Sequence, residues 1–109
     1  MSSVHHSRKI VLHLSYDAAF KLCIASIGRI ERSKITKEDR PNGKIDAKGG
    51  ITWKTLGDKI EFNLTSLDEG CTEVEFSSRP AIRTTLIDYG KNLQNVQTIE
   101  HFLKEHGQD

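Results

Sequence analysis

The stretch from Ser77 to Val96, SSRPAIRTTLIDYGKNLQNV, gathers most of the side chains that could do chemistry. Arg79 and Arg83 flank Pro80. Two guanidinium groups ahead of a helix suit a carboxylate or phosphate, because backbone N–H groups at the helix start point the same way. Asp88, Tyr89 and Asn92 follow, and a tyrosine–carboxylate pair can move protons. Each group also has a plainer reading. The arginines can be solvated, or one of them can pair with Asp88. Adjacent residues on a helix do not face each other, so Asp88 and Tyr89 make poor partners. Asp88 as a helix cap, with Gly90 as a close-packing position, explains the run more simply.

Trp53 is the single tryptophan. It falls on the same strand parity as the residues expected to face inward, with Phe62 and Phe76 on neighbouring strands. These three aromatics either line an apolar pocket or pack the core, and their adjacency favours the core. His5 and His6 could hold a metal only loosely, His101 and His106 have the wrong spacing for one helix face, and no HExxH occurs. No metal or cofactor is expected. Cys23 reads as a small buried hydrophobe and Cys71 as the outward-facing start of a strand. No GxGxxG or Walker-type loop is present.

The elements that must position these groups follow from periodicity. Arg8 to Ser15 is a strand rich in β-branched and aliphatic residues. Ser15 caps a helix in which Tyr16, Ala19, Phe20, Cys23, Ile24 and Ile27 form one apolar stripe. Gly28 stands where a left-handed stop would end it. Arg29 to Asp39 is a polar strand suited to a sheet edge, and Ile30 and Ile35 share a face only across a bulge. Arg40 to Gly43 is a turn.

Three strands then alternate cleanly. They span Lys44 to Thr55, Lys59 to Ser66 and Cys71 to Ser78, with Ile45, Ala47, Ile60, Phe62, Leu64, Val74 and Phe76 inward. Gly49-Gly50 predicts a bend, or a close approach of a helix backbone. Leu93, Val96, Ile99, Phe102 and Leu103 form the stripe of a last helix of about 18 residues, roughly 27 Å long. It starts with Asp88 as cap, or else TTLIDYG is a separate turn or helical piece.

The chain has 109 residues, 36% hydrophobic and 28% charged, with a net charge of +1. These totals predict one soluble domain over residues 1–109 with one core. There is no global basic field and no like-charge run to attract nucleic acid or an anionic membrane. The outward sheet positions carry mixed charge and no aromatic for base stacking, so no nucleic-acid partner is expected. No apolar run of membrane-spanning length and no signal peptide is visible, and two separated cysteines predict reduced thiols in the cytoplasm.

The order of elements is β-α-β-β-β-β-α: an α+β fold with a curved antiparallel sheet and two helices on one face. With VEFSSRP (Val74 to Pro80) and DYGKN (Asp88 to Asn92), this order resembles small bacterial domains of unknown function. They belong with shortened START-like or polyketide-cyclase (helix-grip) domains, or with TATA-binding-protein-like ones. The resemblance implies a groove between the last helix and the sheet, with Arg79 and Arg83 at its mouth. Full-length START-like proteins are longer, which predicts no large enclosed lipid cavity here.

Three readings follow. The first is a non-enzymatic domain taking a small or hydrophobic ligand, or a protein, in that groove, with Trp53, Phe62, Phe76, Arg79, Arg83 and Tyr89 as candidate contacts. The second is a cyclase- or hydrolase-type enzyme using the Arg79–Asn92 region. The third is an oligomerisation domain.

Overall fold

The alternating and helical periods of the sequence become seven elements in the computed structural model, which describes residues 4–53, 55–82 and 84–107. They are β1 (His6–Leu12), α1 (Tyr16–Ile27), β2 (Lys34–Asp39), β3 (Lys44–Gly49), β4 (Asp58–Asp68), β5 (Cys71–Pro80) and α2 (Lys91–His106). All neighbouring strands are antiparallel, in the order β1-β5-β4-β3-β2. The polar β2 is an edge, as its composition predicts.

One face of the sheet is apolar, and both helices lie on it. Ile45, Ala47, Ile60, Phe62, Leu64, Val74 and Phe76 meet Ala19, Phe20, Cys23 and Ile27 of α1 and Val96, Ile99 and Leu103 of α2. Phe62 and Phe76 stand directly opposite in the register, with ring centroids 5.9 Å apart. Each large side chain buried here contributes about 1.5–3 kcal/mol of hydrophobic stabilisation.

The ends of α1 show how local chemistry sets the boundaries. Ser15 Oγ accepts a hydrogen bond from Ala18 N at 3.2 Å, as a cap should. Gly28 departs from expectation. Its φ is −63°, so it does not stop the helix in the left-handed region. The chain instead turns on through bonds from Arg29 N to Ser26 O and Ile30 N to Ile27 O. Ile30 therefore lies ahead of β2, buried, and its parity with Ile35 places no demand on the strand; the irregularity falls between Ile35 and Lys37.

The main correction concerns β3. It ends at Gly49 instead of running to Thr55. Gly50 has φ 68°, and the amides of Gly50 and Ile51 bond to Glu31 O and Arg32 O, away from β4. The bend foreseen at Gly49-Gly50 is thus an exit from the sheet. The close approach at Gly49 comes from a side chain, since a Cβ there would stand 2.7 Å from Ile30 Cγ2. β4 starts at Asp58, immediately after Gly57, whose φ is 77°.

Candidate functional site

Where α2 begins, the helix–sheet interface changes from apolar to polar. Asp58 sits on the inward parity of Ile60 and Phe62, and Ser78 on that of Val74 and Phe76. Asn92, Asn95, Val96 and Ile99 share one helix face. Asp58 is 4% exposed, and Ser78 and Asn92 are fully buried. A buried polar group must find partners or it costs stability, and Asn92 finds three. Its Nδ2 donates to Asp58 Oδ1 at 3.1 Å and to Asp88 Oδ2 at 2.8 Å, and its Oδ1 accepts from Ser78 Oγ at 2.7 Å. Asn95 Nδ2 donates to Asp58 Oδ2 at 3.0 Å and to Ser78 Oγ at 3.1 Å. Both oxygens of Asp58 are thereby occupied by amides.

Asp88 caps α2 from outside it. Gly90 is the capping residue by position, with φ 77° and no side chain to offer. Asp88 accepts from Gly90 N at 3.0 Å and from Asn92 N at 3.1 Å instead. Burial opposes charge on this carboxylate, but the hydrogen bonds from Asn92 and Gly90 outweigh it and hold its pKa below the ordinary aspartate value.

Beside this network a cavity of about 330 Å³ opens between the turn after α1, Gly50, Asp58 and the outer part of the first turns of α2. Arg29, Glu31, Arg32, Lys91, Gln94, Asn95 and Thr98 supply its polar lining together with Asp58. Arg29, Gln94 and Thr98 also line an adjoining depression of about 470 Å³ that runs along α2 past Phe102.

The residues singled out by sequence fall elsewhere. Trp53 is 90% exposed, in the loop between β3 and β4, because the strand that would have carried it inward ends four residues earlier. Phe62 and Phe76 are core, each about 1% exposed. Arg79 lies on the sheet face away from the helices. Ser78 takes the inward position, so period-two alternation turns Arg79 outward, where Nε stands 3.9 Å from Glu61 Oε1. It does not stand at the groove mouth.

Arg83 lies outside the described residues. Tyr89 is 93% exposed at φ 55°, beside Leu86, Ile87 and Leu93 around a mainly apolar depression of about 360 Å³. Of the five that are described, the fold brings Phe62 and Phe76 together, in the core and away from any opening, and leaves Trp53, Arg79 and Tyr89 apart from them. The residues it does assemble were signalled by polar side chains at core-facing positions: Asp58, Ser78, Asn92 and Asn95.

The cysteines differ as expected. Cys23 is fully buried, and burial pushes its thiol up to about 12. Cys71 is half-buried, with Sγ 3.7 Å from Nδ1 of His13. That contact crosses from β5 to the end of β1 and has no local sequence signature. Among the described residues no group of three or more His, Cys, Asp or Glu is placed to hold a metal, and no helix is long and apolar enough to cross a membrane.

No family model matches the chain, and no curated protein matches it in sequence. Solved structures do. A START superfamily protein from Mycobacterium smegmatis superposes with a TM-score of 0.66 at 6% identity, over 94% of this chain and 96% of that one. The fold is a START-like helix grip. The Aha1 dimer from Colwellia psychrerythraea is similar at TM-score 0.63 and 17% identity, over 96% and 94% of the two chains. The di-domain ARO/CYC StfQ from the steffimycin biosynthetic pathway matches at TM-score 0.66 and 7% identity, with 94% of this chain covering 44% of that one. At these identities the START-like likeness speaks for the fold alone.

Proposed function

We propose that this START-like domain is a binding module without catalytic chemistry, and that its ligand site is the polar cavity at the start of α2. The observation that carries this is the contrast along the groove. Its centre is closed by Phe62, Phe76, Val96 and Ile99, while its end opens into about 330 Å³ lined by Asn95, Thr98, Arg29 and Lys91. Ligand clefts usually have roughly 300–1,000 Å³ and a few convergent polar groups. An enzymatic reading through Asp88 and Tyr89 has less support, since the oxygens of Asp88 are committed to the helix start and Tyr89 faces solvent. Amide chemical-shift mapping against a metabolite panel tests the proposal. Shifts at Gly50, Asn95 and Thr98 are expected, and a full panel that leaves them unmoved would sink it.

A second reading, a protein-binding surface, is favoured by the exposed Trp53, Leu56, Ile82, Leu86, Ile87 and Tyr89 on the two loops flanking Asp58. Ala81 N donates to Gly57 O at 3.0 Å and joins these loops. Mass in solution measured across protein concentrations tests whether the occupant is a second copy of the chain.

A further inference from the structure

We propose that the cavity at the start of α2 takes a small organic carboxylate, drawn there by the two cations of its wall that have no carboxylate partner among the described residues, Arg29 and Lys91. This rests on reading that cavity as the ligand site. The charges around it are Arg29, Arg32 and Lys91 against Glu31 and Asp58, which leaves one net positive charge. The two carboxylates are already engaged. Asp58 accepts one amide on each oxygen, from Asn92 and from Asn95, and Glu31 lies 3.5 Å from Arg32.

Arg29 and Lys91 are different: among the described residues neither meets a carboxylate within ion-pair distance. Arg29 is oriented nonetheless. Its guanidinium carbon lies 5.1 Å from the centre of the Phe102 ring, a cation–π contact that holds the side chain over α2. Lys91 extends across Gly50, where a Cβ would come within 3.3 Å of its Nζ; the bare glycine makes room for the ammonium at the cavity wall.

The surroundings suit the rest of such a ligand. Gln94 and Thr98, on successive turns of α2, line this cavity and also the depression that continues to Phe102. A carboxylate in the cavity would direct the rest of its body along α2 toward that depression, whose far end is lined by His101, Phe102 and Glu105. Asp58 in the floor disfavours a second negative charge, which separates a carboxylate from a phosphate dianion.

The experiment uses three probes of one shape, phenylacetate, phenylacetamide and phenyl phosphate, titrated into the 15N-labelled chain and followed at Gly50, Asn95 and Thr98. Phenylacetate is expected to bind at least about tenfold more tightly than phenylacetamide, since charge-assisted hydrogen bonds are roughly twice as strong as neutral ones. Arg29→Gln and Lys91→Gln, both at exposed positions, should keep the spectrum of the folded chain and reduce that preference; the double variant should abolish it. Equal binding of phenylacetate and phenylacetamide at these amides would overturn the carboxylate assignment while leaving the cavity a ligand site. Tighter binding of phenyl phosphate would overturn the monoanion preference in the same way. No shift with any probe overturns the inference, and the wider metabolite panel then decides the fate of the site itself.

Discussion

Asn92 uses every polar atom of its side chain inside the protein, and that makes it the most sensitive single residue of the interface. Replacing it with leucine leaves Ser78, Asp58 and Asp88 each short of a partner in a buried setting. Asn92→Leu is expected to cost about 2–4 kcal/mol in chemical denaturation. Ser78→Ala, which removes one hydroxyl, should cost about 1–2 kcal/mol. At Cys23 the raised thiol pKa has a definite sign. The folded state keeps its proton up to about pH 12 while the unfolded thiol loses it earlier, so this residue makes stability fall as pH rises through that interval. The same burial predicts that a thiol reagent at pH 8 labels Cys71 quickly and Cys23 only after unfolding; equal labelling of both in the folded chain would contradict it. The two cysteines were legible in sequence, Cys23 from the helical stripe and Cys71 from strand parity. Asn92 was noticed beside Asp88 and Tyr89, but its role depends on Asp58 and Ser78, which lie 34 and 14 residues away along the chain.

Among the elements, α2 depends most on a residue that it does not contain. Asp88→Ala removes the acceptor for the amides of Gly90 and Asn92 and should destabilise the domain by about 1 kcal/mol, in the manner of a lost cap. Because the folded carboxyl is held below its ordinary value, the stability it contributes is present at neutral pH and is lost as pH falls through that lowered value. Acid titrations of the wild type and Asp88→Asn should therefore converge at low pH; a constant gap between them would refute the role. Gly57 is the other dependence. At φ 77°, and with a Cβ that would stand 2.3 Å from Gly49 O, Gly57→Ala should cost about 2 kcal/mol or more and disturb the start of β4. The meander β3-β4-β5 and both helix stripes were legible because their periods are regular. The end of β3 was not: Ile51 and Trp53 continue the inward parity of Ile45 and Ala47, and only the left-handed turn at Gly50 breaks it. For the same reason Arg79 was assigned to the groove. Its neighbours Pro80 and Asp88 suggested a junction, while the strand beneath it was still alternating.

At the scale of the whole molecule, the element order was enough to predict the helix grip, and the structure bears it out with two helices on one apolar sheet face. What the order does not encode is how completely α2 fills its groove. The side chains of Val96, Ile99 and Leu103 settle that, each fully buried. A closed groove has a kinetic consequence. A guest need not wait for α2 to lift, because the pocket at its first turns already opens to solvent. Association should then run near the ordinary encounter rate of about 10⁵–10⁷ M⁻¹s⁻¹ or faster, with dissociation setting the affinity. A guest could also leave without α2 lifting, so its residence would be set by its contacts with the cavity wall alone.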